Sequence, residues 1–167
     1  YSITTSSSML IFSGISDKIG HTGKVIGIDK DKEILELAQV RFEGFGRNVI
    51  LKNTDFRDLD LVLKDLGIDK VDGLLFDLGI SSYQLDSAER GFSFNLSGPL
   101  DMRMDKAAKK SAYDIVNFSD KDELGYIIFT FGEERYWRRI AQAIVHQRQK
   151  SPIKTTEQLK DIVTRAM

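Results

Sequence analysis

Two aspartates close short apolar runs, where a sheet could present them to a ligand. Asp29 ends the run over residues 24–29, and Asp77 ends the run over residues 71–77. In open parallel sheets ligands bind outside the carboxyl ends of the strands, and an acid there commonly hydrogen-bonds the hydroxyls of a ribose. Asp29 therefore predicts a nucleotide-type cofactor, although an aspartate in this place also caps a following helix well.

Two further features lie beside these acids in the chain. Phe56 follows the apolar run over residues 48–52 and either packs on an adenine ring or serves as an ordinary core side chain. Residues 78–104 follow Asp77 without a clear period, and loops of that length are usually functional or disordered. Their glycines, phenylalanines, methionines and paired charges favour a functional loop.

Basic residues mixed with aromatic ones mark the last third of the chain. Arg135, Arg138 and Arg139 surround Tyr136 and Trp137, and Arg148 and Lys150 follow. Such mixtures hold RNA phosphates and stack bases, whereas the plainer interpretation is a solvated helix face. The chain has no cysteine, and its two histidines are far apart without ligand-spaced partners, so we predict no metal site.

The elements that must position these residues alternate between strand and helix. Apolar runs predict strands at 1–5, 24–29, 48–52 and 71–77, and helical periodicity predicts helices at 8–19, 31–42 and 58–66, the last ended by Gly67. This order predicts an α/β fold with a parallel sheet.

After Asp105 the strand signal disappears. One helix is predicted after a Ser119 cap, with Leu124, Ile127, Ile128 and Phe131 inward. A second is predicted over 133–149 and a third after a Thr155–Gln158 capping box. The net charge also changes, from −4 over residues 1–104 to +3 over residues 105–167. We therefore predict two domains with those bounds.

Composition limits the function classes. The 167 residues carry a net charge of −1, which excludes a uniformly basic nucleic-acid binder. No apolar run approaches the roughly 18 residues that a membrane helix needs, and no signal peptide opens the chain, so we expect a cytoplasmic protein. Because the chain begins at Tyr1 and stops at Met167 within a helical pattern, we also expect it to be a piece of a longer protein.

The loop after Asp77 carries a family resemblance. The string DLGISS, then QLD, ERGFSF and GPLDMRMD over residues 77–105, continued by GEER and RIA over residues 132–141, resembles the MraW family. The resemblance implies a partial class I methyltransferase, with a Rossmann-like sheet and a helical substrate-recognition insert. It implies S-adenosyl-L-methionine as cofactor and cytosine N4 of small-subunit ribosomal RNA as substrate.

The resemblance also implies roles for single residues. Asp29 would hold the cofactor ribose, Phe56 would adjoin the adenine, and Asp77 and Gln84 would border the methionine end. Asp77 is in addition the nearest candidate for a catalytic acceptor of the cytosine amine proton. Arg135, Arg138 and Arg139 are the candidate contacts to ribosomal RNA.

One departure from the family affects activity. Residues 5–11 stand where the family has a glycine-rich turn with a histidine, and they contain neither. Side chains there would crowd a cofactor, so we expect this chain alone to bind S-adenosylmethionine weakly and not to methylate RNA. Two alternatives remain: a non-catalytic homologue that keeps its RNA or protein contacts, and an NAD-dependent oxidoreductase, which would need a G-x-G-x-x-G turn.

Overall fold

The computed structural model describes residues 23–42 and 49–167, and it confirms the predicted α/β class. Strands β1 (Val25–Asp29) and β2 (Val49–Asn53) pair in parallel, with Val25 opposite Val49 and Asp29 opposite Asn53. Their β-branched residues suit a pleated, half-buried surface. Helix α1 (Lys32–Phe42) packs on both strands through a buried face of Ile34, Ala38 and Phe42. The strand and helix predicted at 1–5 and 8–19 lie outside the described residues.

A short turn leads from β2 into the next helix. Residues Phe56–Asp58 form a 3₁₀ turn that Asp55 caps by accepting a hydrogen bond from the Arg57 N–H. Helix α2 (Leu59–Asp65) follows and buries Val62. Gly67, with φ of +66°, lies just beyond the end of α2, as the sequence predicted.

The strand predicted at 71–77 is wrong. The segment has no regular secondary structure, and residues 71–80 are exposed throughout, including Leu74, Leu75 and Phe76. Residues 71–77 do have the apolar composition of a buried strand. A strand also needs a ladder partner, and within 23–42 and 49–167 only β1 and β2 pair as strands.

The last third of the chain forms helices, as the sequence predicted. They are α4 (Ala112–Phe118), α5 (Lys121–Thr130), α6 (Trp137–Arg148) and α7 (Thr156–Ala166), preceded by the short α3 (Ser82–Asp86) and a 3₁₀ turn at Ala88–Arg90. The sequence did not predict α3 and α4, and α6 begins four residues later than the predicted 133–149. The predicted Thr155–Gln158 capping box opens α7. The core of this unit consists of Leu100, Val116, Leu124, Ile140, Ala141, Ile144, Ile153, Ile162 and Ala166.

Two details of the predicted α5 are corrected. Asp120, and not Ser119, caps the helix by accepting a hydrogen bond from the Glu123 N–H. Ser119 is buried one residue earlier, where it ends α4. Phe131, predicted to point inward, is 75% exposed, because α5 ends at Thr130 and the Phe131 ring rests edge-on against exposed Tyr126.

Residues 84–103 of the predicted loop pack with the helical unit, although residues 91–103 have little regular secondary structure. The Leu100 N–H donates to the Lys154 carbonyl, the Thr156 N–H donates to the Gly98 carbonyl, and the Thr156 hydroxyl donates to the Leu96 carbonyl. The chain therefore divides by packing into two compact units. One holds the described residues up to Tyr83 with Met104–Lys106, and the other holds Gln84–Arg103 with Ala107–Met167.

This division concerns packing alone. A functional boundary near Asp105 remains a prediction. Within residues 23–42 and 49–167, no helix combines the length and the apolar character needed to cross a membrane.

Candidate functional site

Asp29 lies at the carboxyl end of β1, where the sequence predicted it. Its Oδ1 accepts the Asp31 N–H at 2.8 Å, and its backbone carbonyl accepts both the Asn53 side-chain amide at 3.0 Å and the Thr54 N–H at 3.2 Å. These bonds fix the residue against β2. The Asp29 carboxylate thereby stands at the end of a parallel strand, the place where such sheets bind ligands.

Asp31, rather than Asp29, caps the helix that follows. Its Oδ1 accepts the Glu33 N–H at 3.1 Å, in the first turn of α1, and the residue is 1% exposed. The capping interpretation of Asp29 is thereby wrong. Sequence reasoning did not single out Asp31, although its position immediately before the helical period is the ordinary signal of an N-cap.

Burial is the main influence on the pKa of Asp29. Loss of solvation raises the pKa of its carboxyl above the usual value, and the neighbouring charge of Asp31 adds to the rise. The Asp31 N–H bond and the Lys30 charge oppose it. A carboxylate that is poorly solvated gains more from a ligand's hydroxyl donors than one in open water does.

Phe56 and the residue before Asp77 meet in the structure. The rings of Phe56 and Phe76 contact edge to face, with centroids 6.1 Å apart, and Phe56 is 46% exposed. Phe56 is therefore not the ordinary core side chain of the alternative interpretation, and part of its ring remains available for a planar ligand. Asp77 follows Phe76 in the exposed segment, so its role in catalysis and binding remains a prediction.

A tight ion pair flanks Phe56. Arg57 Nε and Nη2 donate to the two carboxylate oxygens of Asp55 at 3.0 and 2.8 Å. Hydrogen bonding from Arg57 lowers the pKa of Asp55 to about 2. Asp55 therefore keeps its negative charge beside Phe56 at any pH at which the protein would work.

Gln84 lies in the other compact unit. It is 3% exposed within α3, so its amide is a buried polar group, and the residue has an interaction partner in the fold. Whether it borders a cofactor stays a prediction.

The three candidate arginines are exposed and lie on aromatic rings. The Arg138 guanidinium is 4.1 Å from the centre of the Trp137 ring, and those of Arg135 and Arg139 are 4.6 and 5.6 Å from that of Tyr136. Stacking of this kind holds a guanidinium while its N–H groups remain available at the edge. The structure thus joins the basic and aromatic residues that the sequence placed side by side.

Arg148 does something different from these three. Its Nη1 donates to the Val116 carbonyl at 2.8 Å and its Nη2 to the Ser119 carbonyl at 2.6 Å. It thereby satisfies carbonyl groups at the end of α4 and has a structural role.

Comparisons with known proteins agree with this arrangement. Residues 14–167 match the model of the MraW methylase family. Curated relatives named "Ribosomal RNA small subunit methyltransferase H" are 48% identical in Brevibacillus brevis, over 89% of this chain, and 51% identical in Thermosipho melanesiensis, over 86%. A relative with the same name in Caldicellulosiruptor bescii is 48% identical over 90% of the chain. In each case the match covers 48% of the relative, so the chain spans about half the length of these proteins.

Proposed function

We propose, from the premise that this chain belongs to the MraW methylase family, that it serves in the transfer of a methyl group from S-adenosylmethionine to cytosine N4 of small-subunit ribosomal RNA. One observation carries the proposal. Asp29 stands at the carboxyl end of a parallel strand and is held there by bonds from Asp31, Asn53 and Thr54.

The residues present fit the adenosine part of this cofactor. A carboxylate at a strand end suits the ribose hydroxyls, and the half-exposed ring of Phe56 suits an adenine face. Asp77 and Gln84 complete the proposed set at the methionine end. When bound, the cofactor supplies a methyl group already activated by the sulfonium, so the protein's task is chiefly to align donor and acceptor.

The cytosine amine that accepts the methyl group must also be made more nucleophilic. The cytosine amine is a weak nucleophile because its lone pair is conjugated with the ring. A carboxylate that accepts an N–H bond from this amine would return electron density to the nitrogen. Asp77 is the proposed acceptor, because it follows Phe76, whose ring touches Phe56.

The helical unit is proposed to bind the RNA. Arg135, Arg138 and Arg139 are exposed and stacked on aromatic rings, and single-stranded RNA is bound by such combinations of cationic and aromatic side chains. The proposed partner is therefore the RNA of the small ribosomal subunit.

The test is a methyl-transfer assay with the purified chain, a cofactor carrying a labelled methyl group, and small subunits that lack the modification. Because residues 5–11 lack the family's glycine-rich turn, we expect this chain alone to place no label in N4-methylcytidine, whereas a full-length relative should place it there. Any label from the chain is compared with that from its Asp77→Ala variant. The Brevibacillus brevis relative serves as the reference enzyme.

Label from the chain above the level of its Asp77→Ala variant would contradict the inactivity expected from residues 5–11, which lie outside the described part of the chain. No label from the reference enzyme would refute the proposed function. RNA binding retained by the chain without transfer would identify the non-catalytic alternative.

A further inference from the structure

A broad depression lies in the helical unit where α5, α6 and α7 meet. Its volume is about 720 Å³. The polar groups that line it include Lys121, Asp122, Arg138, Arg139 and His146. Trp137 forms part of the apolar wall. The cofactor residues Asp29, Phe56 and Asp77 do not line it.

Three cationic side chains and one acidic side chain line this depression. Among the described residues, Lys121, Arg138 and Arg139 form no salt bridge, while the acidic side chain of the lining is Asp122. Arg103 and Arg57, by contrast, are paired with Asp101 and Asp55. Cations gathered in a concave surface attract an anionic ligand.

Trp137 fixes the most prominent of these cations. The Arg138 guanidinium lies 4.1 Å from the centre of the indole ring, and the indole packs against Phe129, with ring centres 5.8 Å apart. The indole also covers Gly125, where an added Cβ would stand 2.7 Å from Trp137 Cζ3. The guanidinium is therefore held on a ring that α5 itself holds, and its N–H groups remain for a ligand.

We infer that this depression binds the sugar–phosphate backbone of an RNA strand through Lys121 and Arg138, with Arg139 beside them. The inference rests on the proposed function for the nature of the polyanion and deepens it by naming the surface. A guanidinium fork matches a phosphate in shape as well as in charge, and an ammonium group adds a second point of contact.

Of the three arginines that the sequence predicted as RNA contacts, two line the depression, and Lys121 lines it as well. Arg138 and Arg139 line the depression, whereas Arg135 lies on Tyr136 and is not part of the lining. Lys121 joins them from the first turn of α5. Arg139 donates Nη1 to the Met167 carbonyl at 3.3 Å, so Lys121 and Arg138 are the cleaner positions for a test.

The test measures binding of the full chain to protein-free small-subunit ribosomal RNA at a series of salt concentrations. Each phosphate contact that is lost lowers the slope of log K against log salt by roughly 0.7–0.9. We expect Lys121→Gln and Arg138→Gln each to lower the slope by about one such step, and the double variant by about two. Arg138→Lys keeps the charge and should keep the slope. Lys160→Gln on exposed α7 is the matched control and should leave the slope unchanged.

Three results would overturn the inference: no salt-dependent binding of protein-free RNA by the wild-type chain, equal slopes for wild type and both Gln variants, or an equal loss in Lys160→Gln. Binding to the whole subunit but not to its RNA would assign the surface to a protein partner instead. Circular dichroism shows that the variants are folded. Methyl transfer tests the proposed function and leaves this surface standing, because RNA binding is measured without cofactor.

Discussion

Asp29 meets two opposing demands at the scale of a single residue. A ribose needs a carboxylate that accepts hydrogen bonds, while burial favours the protonated acid and raises its pKa. The native state therefore binds this proton more tightly than the unfolded chain does. The ionised carboxyl lowers the free energy of unfolding as the pH rises through its titration range. Asp29 is thus a position where binding and stability conflict.

The variant Asp29→Asn separates the two demands. The amide oxygen can still accept the Asp31 N–H, but no buried charge remains. We expect a higher unfolding temperature than wild type at pH 7, with the difference shrinking as the pH falls toward and below the usual carboxyl pKa of 3.8. S-Adenosylmethionine affinity should fall by roughly 10–150-fold, the loss of a hydrogen bond to a charged group.

Calorimetric titration and thermal unfolding check both halves of this prediction. Asp69→Asn, at an exposed position in the same compact unit, is the control and should change neither quantity. Unchanged cofactor affinity in Asp29→Asn would remove Asp29 from the site. A lower unfolding temperature of Asp29→Asn than of wild type at pH 7 would show that the Asp29 charge does not destabilise the fold.

Gly125 is a second residue whose role depends on a close approach. In Gly125→Ala, better helix propensity contributes about 1 kcal/mol, but a Cβ that stands 2.7 Å from the rigid Trp137 ring costs about 1–3 kcal/mol. We expect a net loss of stability and a shifted emission maximum, which Trp137 reports directly because it is the single tryptophan of the chain. Thr130→Ala, exposed on the same helix, is the control. An unshifted emission would mean that the ring does not rest on Gly125.

Local spacing predicted the helices better than the strands. Thr155 and Gln158 identified the start of α7, since a capping box needs only residues that are near in sequence. A similar signal stands at Ser111 and Asp114, where each side chain accepts the backbone N–H of the other at the start of α4. The run at 71–77 failed as a strand because pairing depends on distant residues, which no local pattern encodes.

Arg148 connects α6 to the end of α4, so its substitution should destabilise the helical unit as a whole. Lysine cannot reproduce the fork that serves the Val116 and Ser119 carbonyls. We expect Arg148→Lys to lower the free energy of unfolding in urea by about 1.5–3 kcal/mol. Arg138→Lys is the matched control on the same helix, and there the loss of an exposed cation–π contact should cost about 0.5–1 kcal/mol. Equal costs at the two positions would contradict the structural role of Arg148.

At the scale of the whole molecule, the sequence identified the family and the α/β class but not the place of residues 84–103. The motif residues after Asp77 suggested a loop at a cofactor crevice. In the structure Arg90 is 1% exposed and donates Nη2 to the Arg103 carbonyl, Gly98 bonds to Thr156, and Leu100 enters the helical core. Much of that motif therefore builds the helical unit. Only the contacts of residues far apart in sequence could reveal this.

Proteolysis offers a test of how the chain is built. Phe76 and Phe129 are exposed to a similar extent, 53% and 57%, and both are chymotrypsin sites. Phe129 lies within α5, whose hydrogen-bonded backbone must open before a protease can bind it, whereas residues 71–80 lie outside any described helix or strand. We expect the first cuts after residues 74–78, leaving a fragment that ends at Met167 and retains α3–α7. Mass spectrometry of a time course identifies the fragment. Cleavage after Phe129 as early as after Phe76 would mean that the helical unit is not the more stable part, and resistance of residues 71–80 would restore the strand that the sequence predicted there.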